Sequence, residues 1–469
     1  MSIDFREHRI IDLAADVRAG RTGARELVAA ALDNVERMDP ALGAFVAVNP
    51  EFARADAAAV DERVAAGEDP GPLAGIPVGV KDLEDAVGFV TTHGSALHAG
   101  DPPATRDAVL VARLRAAGAI VIGKTNTPEA GHIGDTINPV AGATRNPWDQ
   151  ARSPGGSSGG TAAALASGMI PLGTGSDGGG SIRIPSSVCG LPGLKPSAGR
   201  IPLGDPEPPG TLVLSTRGPM TTRLDDLVAV LDLVVGPHPA DPFSLPPPHT
   251  PWTGALDGVE RPARVLWAPD GGGAPIDSGV RRVTAAAIEQ LADAGTEIIE
   301  ISDLFTTDPM IPWFVLWSQA MARTYQHVEG TPDWERVSAS LRDQIEMGRS
   351  FGPLDVIRAF DELHRINHHL TDLFHQAPLL LLPTVNGCAP LSGEDGTVDG
   401  EPTMLWACLT QAFNLSRNPA GSVPVGLDDH AMPVGLQVVG PQHADVAVLR
   451  AMAAVEQVVG FDARPPEVG

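Results

Sequence analysis

Cysteine is scarce. Cys189, Cys388 and Cys408 cannot complete a set of disulfides, and none belongs to a CxxC pair. The pattern excludes a disulfide framework and points to a reducing, cytoplasmic setting. Positive charge is also short, with Lys+Arg 33 against Asp+Glu 58 and a net charge of −25. No basic stripe or Lys/Arg-rich run breaks that balance, which repels phosphate backbones and excludes nucleic acid as an expected partner. No stretch of about 18 uncharged apolar residues is available to span a membrane, and the opening MSIDFREHRI lacks a basic-then-apolar leader. A membrane partner is therefore not expected. Internal repeats and low-complexity tails are missing too.

What is present fits a well-packed globular chain. Of 469 residues, 43% are apolar and 19% charged, enough for an ample core. Proline (44) and glycine (52) are plentiful but spread out, so they indicate many turns rather than disorder. Apolar residues at helical spacing predict helices around Ile11–Val17 and Leu27–Val35, the second ending at Asp39-Pro40, and an alanine-rich helix over 53–66. The run Ile76-Pro77-Val78-Gly79-Val80 predicts a strand that delivers Lys81 at its C-terminal edge. Helices over 108–117, 161–167 and 280–294 alternate with strands over 119–122, 264–267, 296–301, 379–382 and 434–439. Such alternation predicts an α/β fold with a sheet covered by helices on both faces. Residues 236–262 are proline-rich and read as a surface connection. Residues 304–375 read as mostly helical and carry Trp313, Phe314, Trp317, Tyr325 and Trp334, as core or as pocket wall.

The most informative segment is PGGSSGGTAAALASGMIPLGTGSDGGGSIRIP, from Pro154 to Pro185. Glycine lets backbone approach backbone but weakens helices and strands, so this richness serves presentation of serine hydroxyls and bare N–H groups. Short familiar patterns in and near it fail on context. Gly118-AIVI-Gly123-Lys124-Thr125 has the P-loop spacing, yet its supposed loop is itself a strand. Gly173-Thr-Gly175-Ser-Asp-Gly178 fits GxGxxG, yet Pro185 stops the helix that a pyrophosphate would need. Gly155-x-Ser157-x-Gly159 fits the nucleophile elbow of α/β-hydrolases, whose Asp/Glu and His must follow. Many follow, none is singled out, and this alternative stays open. His364 and His368 are spaced i,i+4, with His369 beside them. They lack the glutamate of HExxH and a third ligand, so a solvated helix face is expected.

A longer constellation carries more weight. It comprises Gly75-Ile-Pro-Val-Gly-Val-Lys81-Asp82, Gly155-Gly-Ser157-Ser158-Gly-Gly160, and Asp177-Gly-Gly-Gly-Ser181-Ile-Arg183-Ile-Pro185. Gly123-Lys-Thr-Asn126-Thr-Pro-Glu129, Gly190-Leu-Pro-Gly-Leu-Lys195-Pro196, Arg217-Gly-Pro-Met220, Asn418–Gly426 and Met432–Gln437 belong to it as well. Together these resemble the amidase signature family of serine hydrolases across nearly the whole chain, most weakly over 236–375. The resemblance implies a single large α/β domain over 1–469, with a mixed, twisted central β-sheet covered by helices on both faces. Its signature core would span 61–235, its proline-rich connection 236–262, and a helical, substrate-covering segment 304–375.

The resemblance also assigns roles. Ser181 matches the nucleophile, Ser157 the bridging serine after a cis Gly156–Ser157 peptide, and Lys81 the terminal base. The N–H groups of Gly178, Gly179, Gly180 and Ser181 are the expected oxyanion hole, and Ser158, Asp177 and Arg183 the supporting residues. The chemistry is coherent, because a lysine accepts a serine proton only when burial keeps it neutral. A hydroxyl both accepts and donates, so Ser157 can relay. Neither metal nor organic cofactor is needed. The expected substrate is a small aryl or alkyl amide or a carbamate, and a homodimer is allowed. The alternatives are the glutaminase component of a tRNA-dependent amidotransferase, with its partner chains, and a non-catalytic binding protein on the same scaffold.

Overall fold

Short runs of apolar and small residues, bounded by glycine and proline, build the strands that position everything else. The structure, a computed structural model, describes residues 3–468 apart from 209 and 212. The principal strands are β1 (Phe45–Val48), β2 (Pro77–Lys81), β3 (Ile120–Thr125), β4 (Leu172–Asp177), β5 (Gly193–Lys195) and β6 (Thr216–Thr221). They continue with β7 (Arg264–Trp267), β8 (Glu297–Glu300), β9 (Leu380–Pro383), β10 (Ala420–Leu427) and β11 (Pro433–Val439). One mixed sheet runs β1-β3-β2-β4-β6 and a second runs β8-β7-β9-β11-β10-β5. The central sheet expected as one layer is thus divided by its hydrogen bonding. Edge strands β5 and β6 lie against each other without sharing a ladder.

Both sheets feed one continuous hydrophobic core that runs from Phe5 to Val468. In the first sheet β2 lies between β3 and β4, parallel to both, and every residue of β2 is buried. Parallel interior strands need apolar or small residues on both faces, and Pro-Val-Gly-Val supplies them. Register Gly79↔Gly173 then sets the ends of β2 and β4 side by side. Lys81 comes to the same carboxyl edge as Ser176 and Asp177, the edge where ligands gather in open α/β sheets.

Helices cover the sheets, and one boundary departs from expectation. The helix Ala24–Leu42 runs through Pro40 instead of stopping there, and ends at Gly43 with φ 61°. Pro40 sits in the last turn, where its missing N–H breaks little of the ladder, and the left-handed Gly43 ends the helix. Residues 236–262 contain no helix or strand. Helices Met310–Tyr325, Ala339–Ser350 and Pro353–Phe374 pack together over 304–375, and no helix among the described residues is long and apolar enough to cross a membrane.

Asn126, fully buried just past β3, ties the strand to the loop that follows. Its Nδ2 donates to Thr144 Oγ1 at 3.0 Å, while its Oδ1 accepts from Thr127 N at 3.0 Å and Asn138 Nδ2 at 2.5 Å. Removing it strands several buried donors and acceptors. Asn126→Ala should lower unfolding stability by about 3 kcal/mol, measured by urea denaturation, and a loss within error would show that the loop is held elsewhere.

Candidate active site

Sequence places Ser157 and Ser158 immediately before the buried helix Gly159–Ala166, and Ser181 two residues before the start of the helix Arg183–Cys189. These two helices pack together, so both serine clusters converge on the carboxyl edge of β2 and β4. Lys81 is fully buried there. Its Nζ donates to Ser157 Oγ at 2.8 Å, Ser158 Oγ at 2.9 Å and Ser176 Oγ at 3.0 Å. Burial lowers its pKa to about 7, against the pull of the Glu84 and Asp177 carboxylates, which favour the charged form.

Ser157 follows a cis peptide at Gly156–Ser157, and its neighbour Ser158 donates a backbone N–H to Ser181 O at 3.2 Å. Among the described residues no hydrogen bond joins the Ser157 and Ser181 hydroxyls. Ser181 instead lines a cavity of ≈ 90 Å³ together with Gly156, Gly179, Ile184, Trp313, Trp317 and Gln411, among others. Ser158, expected only to support the loops, touches Lys81 directly.

Asp177 and Arg183 are both fully buried and face each other as a fork. Arg183 Nε donates to Asp177 Oδ2 at 2.9 Å and Nη2 to Oδ1 at 2.8 Å. Burial alone would raise the Asp177 pKa, but the guanidinium holds it well below the usual carboxylate range. The same carboxylate accepts Gly180 N at 2.7 Å and Ile182 N at 3.2 Å. The expected oxyanion set is corrected accordingly. Gly180 is not a free donor, because its N–H is committed to Asp177.

Backbone geometry orders the rest of the turn. In a trans peptide unit the carbonyl and the following N–H point in opposite directions. Gly178 O accepts from Trp313 Nε1 at 2.9 Å, Gly179 O from Thr410 Oγ1 at 2.7 Å, and Gly180 O from Ile184 N at 2.7 Å. The N–H groups opposite these carbonyls belong to Gly179, Gly180 and Ser181. With Gly180 engaged, Gly179 and Ser181 remain, and both line the cavity. Gly178 does not.

Sequence reasoning missed Ser176 and Thr174, although period-2 alternation puts both on one face of β4, and Thr174 Oγ1 accepts Lys81 N at 2.9 Å. Thr410, Asn414, Trp406 and Gln411 come from the C-terminal part of the chain and carry no local signal. His364 and His368 lie on the solvent side of the Pro353–Phe374 helix, and the described residues contain no cluster of His, Cys, Asp and Glu able to hold a metal ion.

Comparisons with known proteins bear on the family. A family model described as Amidase matches residues 26–449. The chain belongs to the amidase family. It is an amidohydrolase by that membership, and the family's α/β fold is the one described above. An acylamidase of Rhodococcus erythropolis is 35% identical over 95% of this chain and 94% of its own length. One component chain of the glutamyl-tRNA(Gln) amidotransferase of Chloroflexus aggregans is 33% identical over 96% of both chains. Among solved structures, a bacterial aryl acylamidase of the amidase signature enzymes superposes with a TM-score of 0.90 and 26% identity, covering 97% of this amidase-family chain and 96% of the other.

The buried Asp177–Arg183 fork makes a testable demand on stability. Arg183→Met leaves an unpaired buried carboxylate and should cost about 4 kcal/mol at neutral pH, read by urea denaturation. Because the folded pKa of Asp177 lies below its unfolded value, the pair's contribution is fully present above the ordinary carboxylate range and is lost as pH falls from that range through the lower folded value. The gap between parent and variant should therefore narrow on acidification. A gap that stays constant with pH would deny the pair this role.

Proposed function

We propose that this amidase hydrolyses the C–N bond of small, uncharged aryl or alkyl amides or carbamates through Ser181, Ser157 and Lys81. One observation carries the reading. Three lysines are fully buried, Lys81, Lys124 and Lys195, but among the described residues only Lys81 meets serine hydroxyls. Lys124 lies 3.4 Å from the Asp82 carboxylate, and Lys195 donates to its neighbour Pro196 O. A lysine without a carboxylate partner, buried among hydroxyls, is suited to be a neutral base.

The proton inventory supports the order of transfer. A neutral amine has two N–H groups and one lone pair, so one of its three hydroxyl neighbours must donate to it. Ser158 Oγ lies 3.4 Å from Ser176 O, its own acceptor, and of Ser157 and Ser176 we assign the donation to Ser157, which follows Gly156 on the cavity wall. Ser157 then takes the Ser181 proton as Ser181 Oγ bonds to the substrate carbonyl carbon. The carbonyl oxygen gathers charge against the Gly179 and Ser181 N–H groups. Collapse breaks the C–N bond, the relay returns a proton to the leaving amine, and water repeats the sequence on the acyl-enzyme.

The cavity supports the substrate class. Among the described residues no Asp, Glu, Lys or Arg lines it, and Trp313 and Trp317 stack with centroids 5.2 Å apart at 18°. Flat or short neutral groups suit such walls. Glutaminase action, favoured by the similarity to the amidotransferase component, requires a substrate with an ammonium and a carboxylate. The lining has no countercharge for either.

Ser181→Ala should lower kcat by roughly 10⁴-fold or more and abolish time-dependent labelling by a fluorophosphonate probe. Activity surviving in Ser181→Ala would overturn the mechanism, and a parent protein that never labels would favour the non-catalytic scaffold. Since the base works only when neutral and Lys81 titrates at about 7, kcat/KM should rise with pH through that value and level off above it. A profile flat between about pH 5 and 9 would remove Lys81 from the base role.

A further inference from the structure

The peptide unit between Gly178 and Gly179 is held by a side chain from a distant helix. Trp313, on the helix Met310–Tyr325, donates its indole Nε1–H to Gly178 O at 2.9 Å, and the bond is buried. We propose that Trp313 is a positioning residue for the oxyanion site: its indole N–H fixes the Gly178–Gly179 peptide so that Gly179 N–H faces the reacting carbonyl. The inference rests on the reaction proposed above and goes beyond it, since the indole touches neither Ser181 nor the relay by hydrogen bond.

Three features carry it. The first is direction, because a trans unit whose carbonyl is gripped from one side turns its N–H to the other. Gly179, which owns that N–H, lines the same cavity as Ser181. The second is polarity. A donor on the carbonyl polarises the amide and makes its own N–H a stronger donor. The third is fit. A Cβ on Gly179 would lie 2.6 Å from Trp313 Cζ2, and one on Gly178 2.9 Å from Trp317 Cζ3. Only bare backbone lets the two indoles lie this close.

The indole is itself braced. Trp317 stacks on Trp313, and Trp317 Nε1 donates to Gln344 Oε1 at 3.0 Å. Gln344 Nε2 in turn donates to His132 O at 3.2 Å, and His132 also lines the cavity. The segment 304–375 therefore does more than cover the substrate, because it grips the strand end that presents the donor. Asp177 and Thr410 fix the neighbouring unit, whose Gly180 N–H points away from the reaction.

The test separates the indole N–H from the indole ring. Trp313→Phe removes the N–H, and replacement of Trp313 by β-(3-benzothienyl)alanine keeps the bicyclic ring but puts sulfur where the N–H was. With p-nitroacetanilide, both variants should show kcat about tenfold lower and KM within about twofold of the parent. A trifluoromethyl ketone, which forms a tetrahedral adduct with the serine, should bind about tenfold more weakly. An unreactive amide analogue should bind unchanged. A rise in KM with kcat preserved, or unchanged affinity for the ketone in the benzothienyl variant, would overturn the proposal and leave Trp313 as wall. Ser181→Ala serves as reference. If it loses activity while the Trp313 variants behave as the parent, the positioning role fails and the reaction stands. If it retains activity, the reaction itself fails.

Discussion

The fork between Asp177 and Arg183 is the contact on which the site depends. It is buried without exposure at either end, a placement that would be costly if either partner were alone. The pair is instead saturated. Arg183 also donates to Gln437 Oε1 at 2.6 Å, Thr410 O at 3.0 Å and Asn414 Oδ1 at 2.6 Å. Asp177 ends a strand of the first sheet and Gln437 lies in the second, so the fork joins the two sheets where their ladders do not. It also takes the N–H groups of Gly180 and Ile182, so these two donors of the serine turn are committed.

Around that fixed point the lysine sits in a different electrostatic regime. Lys81 has hydroxyls rather than carboxylates in contact, and its nearest negative groups act only at longer range. Asp177 still pulls Lys81 toward the charged form, but its contacts are taken by Arg183, and burial outweighs that pull. The two buried basic side chains therefore differ, one paired with a carboxylate and the other with its pKa lowered by burial to about 7. The rigid pair and the proposed proton relay lie side by side at one sheet edge.

Much of this was legible from the sequence for a physical reason. Parallel strand β2 is short and fully buried, so its apolar run and terminal lysine show up in a local pattern. The serine clusters were visible because only glycine-rich backbone can present hydroxyls and amides together. The division of labour among Gly178, Gly179 and Gly180 was hidden, since it depends on Asp177, Thr410 and Trp313 meeting at one turn from widely separated positions. Pro40 misled for a related reason, as a proline near a helix end costs less than one in its middle. Helical spacing suits the tryptophans to core or to pocket, and Trp313 is both: it is 8% exposed, yet its ring is cavity wall. Helical spacing tells which face is buried but not what it is buried against.

The uncharged lining of the cavity has a consequence for the fate of what is made there. An amide enters as a neutral molecule, and hydrolysis on the proposed route leaves a carboxylate. Among the described residues the lining holds no Lys or Arg, so that anion meets polar groups such as Gln411 but no cation. On that route a wall suited to the neutral reactant holds the acid less well, so the charge made by the reaction favours release before the next turnover.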